Sequence, residues 1–288
     1  MIDSAAAEAA IAMPPEPDGR PPVLLVHGTD SATDESWSTT YVPALTAAGF
    51  AVFTINLPDR ALADIQVSAE YVVYAVRRIA GMTGRKLAII GHSQGGLEPR
   101  WALRWWPDLR DQVSDVISLG TPQHGTVSAD LNCAVGCAAA VWQMTQGSQL
   151  LAALNRDVET PGTAGYTSIY SATDELVQPQ IPQSTSALDG AANILVQDLC
   201  PGRPVNHVGL MRDAVVYALA LDALTHDGPA DASRIPITVC AQVIIPGVDP
   251  VAQFDAEMDF LISFTRDSSA FNTDSEPPLR DYAQAGGS

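Results

Sequence analysis

The chain has 288 residues, 47% of them apolar, and a net charge of −18 from 33 acidic against 15 basic residues. That apolar share supports a sizeable core and excludes a disordered or fibrous chain. The acidic balance makes nucleic acid and anionic membrane surfaces poor partners, and the longest apolar run, residues 131–142, falls well short of the ~20 residues a spanning helix needs, so no integral membrane segment is expected.

Residues 1–20 read as a loose Ala/Pro-containing tail that lacks the basic and apolar regions of a signal peptide. Short β-rich runs follow at 23–26, 51–55, 87–90, 116–119, 166–170 and 193–196. Segments of helical period separate them. In 63–80, Ile65, Tyr71, Val72, Ala75, Val76 and Ile79 recur close to every 3.6 residues, and 97–106 and 208–224 also read as helices. This alternation predicts an α/β fold, a mostly parallel central sheet with helices on both faces, in a single domain over 21–264. Leu87-Ala88-Ile89-Ile90 shows no polar alternation, as a parallel strand buried on both sides requires. Residues 249–264 carry an amphipathic stripe of Val251, Phe254, Met258, Leu261 and Ile262. With the Ala-rich stretch 129–142, this segment is expected to cover a site, although the same pattern also describes core-packing helices. From 265 to 288 the chain reads as a polar tail.

The informative segment is Gly91-His92-Ser93-Gln94-Gly95-Gly96, between an expected strand and an expected helix. A serine at the tip of such a turn is exposed and strained, and the residues two positions away must be small because strand and helix nearly touch. A serine hydroxyl is a weak nucleophile, so it needs a base, and the base needs an orienting acid. On this scaffold they follow in the order Ser, acid, His, which removes His27 and His92 as bases. His207, opening the 208–224 helix, is the favoured base over His226, which suits a helix C-terminus, and His124. Asp174, four residues past the 166–170 strand, is the favoured acid over Asp198 and Asp189. The oxyanion needs two preorganised donors. One is the backbone N–H of Gln94, and the other comes from His27-Gly28-Thr29, where Thr29 offers both an N–H and a hydroxyl.

Four cysteines, Cys133, Cys137, Cys200 and Cys240, allow three pairings if all are bridged, and an even count in an acidic, lysine-poor chain points to an oxidising compartment. A metal site built from Cys133, Cys137 and His124 is the weaker alternative.

Ser93-Gln94-Gly95-Gly96, Val141-Trp142-Gln143, Thr145-Gln146-Gly147-Ser148 and the long run from Tyr170 to Gln180 resemble the Candida antarctica lipase B-like family and its bacterial relatives. The resemblance runs from about Pro21 to Cys240. It implies an α/β-hydrolase fold with nucleophile Ser93, acid Asp174, base His207 and an oxyanion hole from Thr29 and Gln94. It also implies a substrate channel lined by Leu176 and Val177, a Cys200–Cys240 disulfide, no cofactor and no metal. That pairing leaves Cys133 with Cys137. Where the yeast member has Thr-Trp before its serine, this chain has Gly91-His92, so pocket selectivity does not carry over. Phe53 stands where the family's early disulfide has a cysteine, and Gly120–Thr126 is more similar to other bacterial lipases. The resulting expectation is a secreted serine hydrolase, a lipase acting on triacylglycerols and other lipophilic esters. A short-chain carboxylesterase or polyester-degrading hydrolase is the alternative, and an inactive binding module on the same fold is the remote one.

Overall fold

The computed structural model describes residues 2–14, 20–252, 258 and 269–284. One seven-stranded sheet contains β1 (Ile11–Ala12), β2 (Pro22–Val26), β3 (Ala51–Ile55), β4 (Leu87–His92), β5 (Val113–Leu119), β7 (Gly165–Tyr170) and β8 (Ala192–Leu195). Two further short strands, β6 (Cys137–Ala138) and β9 (Asn272–Thr273), pair with each other. The order across the sheet is β1-β3-β2-β4-β5-β7-β8. Every neighbouring pair is parallel except β1 on β3.

The missing polar alternation of the inner strands has a direct structural cause. Val23, Leu25, Ala88 and Ile90 face one side, packed with Trp37, Tyr41 and the helix Ala214–Thr225. Leu24, Val26, Phe53, Leu87 and Ile89 face the other, packed with Val72, Val76 and Ile79 of the helix Ile65–Thr83 and with Ala102 and Leu103 of Leu97–Trp105. Both sheet faces are dry, so both registers of each strand are apolar. No helix of the described residues is long and apolar enough to cross a membrane.

The structure departs from the sequence expectations in three places. The segment 208–224 is not one helix: a 3₁₀ turn Val208–Met211 precedes the helix Ala214–Thr225. Asp213 separates them by capping the second, its Oδ1 accepting from the N–H groups of Val215 (2.8 Å) and Val216 (3.3 Å). Residues 4–12 are not a loose tail. Ser4–Ala9 is a helix whose Glu8 takes hydrogen bonds from Tyr74 and Arg78, and Ile11–Ala12 adds an antiparallel edge strand to β3. Nor do all the last residues trail away. Glu276 accepts from the N–H groups of Gln149 and Leu150, and Tyr282 packs its ring on Trp106 at 4.9 Å between centroids. In each tail a few apolar or capping residues suffice to dock a short element on the preformed core. Most of the amphipathic stretch 249–264, Phe254, Leu261 and Ile262 included, lies outside the described residues.

All four cysteines are bridged, Cys133 to Cys137 and Cys200 to Cys240. Cys133 ends the helix Val127–Cys133, and Gly136, at φ +93°, turns the chain so that Cys137 can meet it. The described residues contain no group of three or more potential metal ligands, which leaves the alternative of a metal at Cys133, Cys137 and His124 without support. Cys200–Cys240 closes a loop with a sequence separation of 40 that contains His207. On the chain-entropy account such a closure stabilises by about 4 kcal/mol. Replacing Cys200 and Cys240 together by serine should therefore lower the melting temperature by roughly 5–10 °C. A calorimetric shift within experimental error would show that the bridge adds nothing to the hydrogen bonds around it.

Candidate active site

The chain leaves β4 at His92, turns through a 3₁₀ segment Ser93–Gly96 and enters the helix Leu97–Trp105. Ser93 sits in the left-handed region at φ +55°. A non-glycine residue there costs roughly 1–3 kcal/mol unless the surroundings hold it. They do so by close packing: a Cβ on Gly91 would lie 2.0 Å from the carbonyl oxygen of Gly95, and one on Gly95 would lie 2.4 Å from that of Val26. Any side chain at either position would push the helix off the strand, which is why this turn requires glycines flanking the serine.

The structure places Asp174 and His207 together. His207 Nδ1 lies 2.8 Å from Asp174 Oδ2, and the two residues are 3% and 1% exposed. The other carboxylate oxygen, Oδ1, accepts from the N–H groups of Leu176 (2.9 Å) and Val177 (2.8 Å). With both oxygens engaged, the carboxylate is fixed in orientation and the imidazole proton is held on Nδ1, which leaves Nε2 free to accept one. The loops carrying the two residues are stitched together. Thr173 Oγ1 donates to the Val205 carbonyl and accepts from its N–H, both at 2.9 Å. Gln197 bridges Ser171 Oγ and the Arg203 carbonyl. Glu175, exposed on the same loop, accepts from the His207 N–H at 3.0 Å. Arg203, paired with Asp213 at 2.6 Å and donating to the Cys240 carbonyl, ties the His207 loop to the far end of the disulfide. Gly120, at φ +57°, backs the pair; a Cβ there would come within 3.1 Å of Asp174 Oδ2 and 2.5 Å of Leu210.

The other titratable candidates lie elsewhere. His226 caps the helix Ala214–Thr225 and bonds the Asp222 carbonyl, while His124 pairs with Glu159 at 2.8 Å beside another cleft. Asp189 and Asp198 are exposed. Chain order excludes His92 as the base, and its sequence position indicates no other role. In the structure it is buried, its Nε2–H donates to the His207 carbonyl at 3.0 Å, and the two rings lie 4.7 Å apart. Burial first, then the neighbouring His207, holds its pKa well below the ordinary imidazole value, so it braces His207 as a neutral ring. His27 is likewise buried and neutral, its pKa lowered to about 4 by burial. It donates from Nδ1 to the Gly28 carbonyl (2.8 Å) and accepts from the Leu57 N–H (2.9 Å), fixing the loop that carries Thr29. Thr29 Oγ1 donates to Gln94 Oε1 at 2.6 Å, and Gln94 Nε2 donates to Glu98 Oε1 at 2.9 Å.

Ser93, His207, Thr29, Leu176 and Val177 line one cavity of about 140 Å³. Ala129, Asn132, Val141 and Met144 also line it, so part of the 129–142 segment borders the same cavity as the serine. A larger cleft, about 480 Å³, lies between the two chain ends and holds neither Ser93 nor His207.

Known proteins similar to this chain are lipases and a thioesterase family. The sequence model of the palmitoyl protein thioesterase family matches residues 22–178. Lipase B of Pseudozyma antarctica is 34% identical over 226 residues, covering 76% of this chain. A triacylglycerol lipase of Burkholderia plantarii is 33% identical over 136 residues, or 45% of the chain. The chain spans 66% of the length of the first and 37% of the second. The crystal structure of Aspergillus fumigatus lipase B superposes with a TM-score of 0.90 at 31% identity, covering 98% of this chain and 72% of that one. The fold is the α/β-hydrolase fold shared by these lipases.

Proposed function

The chain belongs to the lipase B family and, over residues 22–178, to the palmitoyl protein thioesterase family of α/β-hydrolases, and from that premise we propose that it is a serine carboxylic-ester hydrolase, a lipase acting on lipophilic esters. The observation that carries this reading is Ser93, held at φ +55° at the mouth of a cavity that also receives His207, with Asp174 locked behind the imidazole.

In this reading His207 Nε2 takes the Ser93 proton as Oγ attacks the ester carbonyl. The tetrahedral oxyanion is stabilised by the N–H groups of Gln94 and Thr29. His207 then protonates the leaving alcohol, and water repeats the cycle on the acyl-serine. Leu176 and Val177 serve twice: their side chains line the cavity for the acyl or alcohol group, and their N–H groups hold Asp174. No cofactor enters these steps. The two disulfides support a secreted protein.

The cavity of about 140 Å³ favours, as a second reading, an esterase of short acyl chains. The lipase reading requires the 129–142 segment to move aside so that a long acyl chain can enter. That segment exposes Leu131 (71%) and Val135 (90%), which supports reading it as a covering segment. Turnover of p-nitrophenyl esters from acetate to palmitate, with and without an emulsified interface, separates the two. A lipase should keep or raise its kcat/KM beyond eight carbons at the interface, whereas a fall of tenfold or more from butyrate to octanoate under both conditions would make it a short-chain esterase. Fluorophosphonate labelling at Ser93 tests the hydrolase reading itself, and absence of label would overturn it.

A further inference from the structure

Behind the oxyanion loop lies a carboxyl that the mechanism above does not use. Glu98, in the first turn of the helix Leu97–Trp105, is fully buried, and so is Gln94. Its Oε1 accepts from Gln94 Nε2, but its Oε2 is buried with no hydrogen-bond partner. Such a group is costly to bury and calls for a physical reason. Gln94 has two ends, and the other meets the Thr29 hydroxyl. Glu98, Gln94 and Thr29 therefore form a relay that ends at the oxyanion hole.

Resting on the reading of Ser93 as nucleophile, we propose that Glu98 is a positioning residue for oxyanion stabilisation: the hydrogen it carries decides, through the Gln94 amide, whether the Thr29 hydroxyl is free to donate to the oxyanion. The relay has two polarities. In the one shown, Gln94 Nε2 donates to Glu98 and the Thr29 hydroxyl donates to Gln94 Oε1, so that its only hydrogen is spent. This polarity suits an ionised Glu98, which can only accept. When Glu98 is protonated, the same polarity leaves the carboxyl hydrogen without an acceptor. A half-turn of the Gln94 amide removes that deficit. Glu98 then donates to Gln94 Oε1, Gln94 Nε2 donates to Thr29 Oγ1, and the Thr29 hydrogen is released toward the substrate oxygen as a third donor beside the two backbone N–H groups.

The surroundings favour the protonated form at neutral pH. Burial pushes the Glu98 pKa up to about 8, against the smaller opposing pull of the Gln94 amide and of its own backbone N–H. On its own helix, Arg100 is turned to Gln123 and Asn155 and Arg104 to the Val158 carbonyl. On the packed elements, Asp64 bonds Gln66 and Gln143 at the start of Ile65–Thr83, while His27 and His92 are buried and neutral. None of these charges is among the causes that act on Glu98.

The test is the pH dependence of kcat on one soluble ester between pH 6.5 and 9.5. In the parent, kcat should fall by about tenfold or more through an inflection near pH 8, with KM little changed, as the third donor is lost. Glu98→Gln, whose amide can donate to Gln94 at every pH, should abolish the inflection. Thr29→Val should lower kcat at pH 7 by about 10- to 100-fold and also abolish it, and adding Glu98→Gln to Thr29→Val should change nothing further. An inflection that persists in both single variants, or effects that multiply in the double variant, overturns the proposal. Infrared difference spectra of the parent between pH 7 and 9.5 test it without any variant. Loss of a protonated-carboxyl band with a midpoint near 8 supports it, and a spectrum without that band overturns it. Failure of the underlying hydrolase reading would show separately, as absent fluorophosphonate labelling of Ser93.

Discussion

Ser93→Ala should reduce ester hydrolysis by roughly 10⁴-fold or more while leaving the melting temperature nearly unchanged. The size of the loss follows from the proposed division of labour. His207 and Asp174 act on the substrate only through the serine oxygen, so removing Oγ idles both and leaves only binding and oxyanion stabilisation. The fold should not suffer, because alanine keeps the Cβ that the elbow already accommodates at φ +55°. Ser93→Gly makes a sharper companion. Glycine has no penalty at positive φ, so this variant should be equally inactive yet more stable than the parent by about 1 kcal/mol. Hydrolysis within tenfold of the parent in either variant would remove Ser93 as the nucleophile. A glycine variant no more stable than the parent would mean that the elbow holds no strain.

Replacing His207 by alanine should cost about as much as replacing Ser93, whereas His226→Ala and His124→Ala should change turnover by less than about twofold. The contrast is structural. His207 lies behind the serine with its proton fixed by Asp174, while His226 serves a helix end and His124 pairs with Glu159 at another cleft. Asp174→Asn should give a loss of roughly 10³- to 10⁴-fold. Its cause can be read from the geometry. The N–H groups of Leu176 and Val177 will keep the amide oxygen on their side, as they hold Oδ1 now. That turns the amide NH₂ toward His207 Nδ1 and forces the imidazole proton onto Nε2, where it can no longer accept from Ser93. Wild-type activity in His207→Ala, or a large loss in His226→Ala, would mean that the base has been misassigned.

How much of this was legible beforehand depended on how local the cause was. The strands β2, β3 and β4 announce themselves because burial on two faces imposes unbroken apolar runs, a property of each segment alone. The serine elbow is equally local, since the same few residues that make the turn must carry the glycines. The order of nucleophile, acid and base along the chain follows from strand order, so Asp174 and His207 could be put forward from position. The disulfide partners, by contrast, came from family likeness, because four cysteines by themselves admit three pairings.

The break at Asp213 was missed because an uninterrupted apolar pattern surrounds it, and only the packing shows that its carboxylate is needed as a cap and as the partner of Arg203. The docked ends were missed for a related reason. Ser4–Ala9 and Asp281–Gln284 are too short to be helices on their own, and they form because Tyr74, Arg78, Trp105 and Trp106 offer them a surface.

The layered α/β architecture, the serine turn and three candidate catalytic positions are thus legible from the chain itself. These rest on periodicity, glycine placement and chain order, which are properties of neighbours along the chain. How those positions are held depends on contacts between distant parts of the chain: His92 and Glu175 on the backbone of His207, the N–H groups of Leu176 and Val177 on Asp174, and Glu98 behind Gln94 and Thr29. His92 lies within the serine motif and Glu98 just after it, yet nothing local distinguishes a buried, neutral histidine or carboxyl from an exposed, charged one. Their protonation and partners are set by the water that packing removes and by loops brought together across the edge of the sheet.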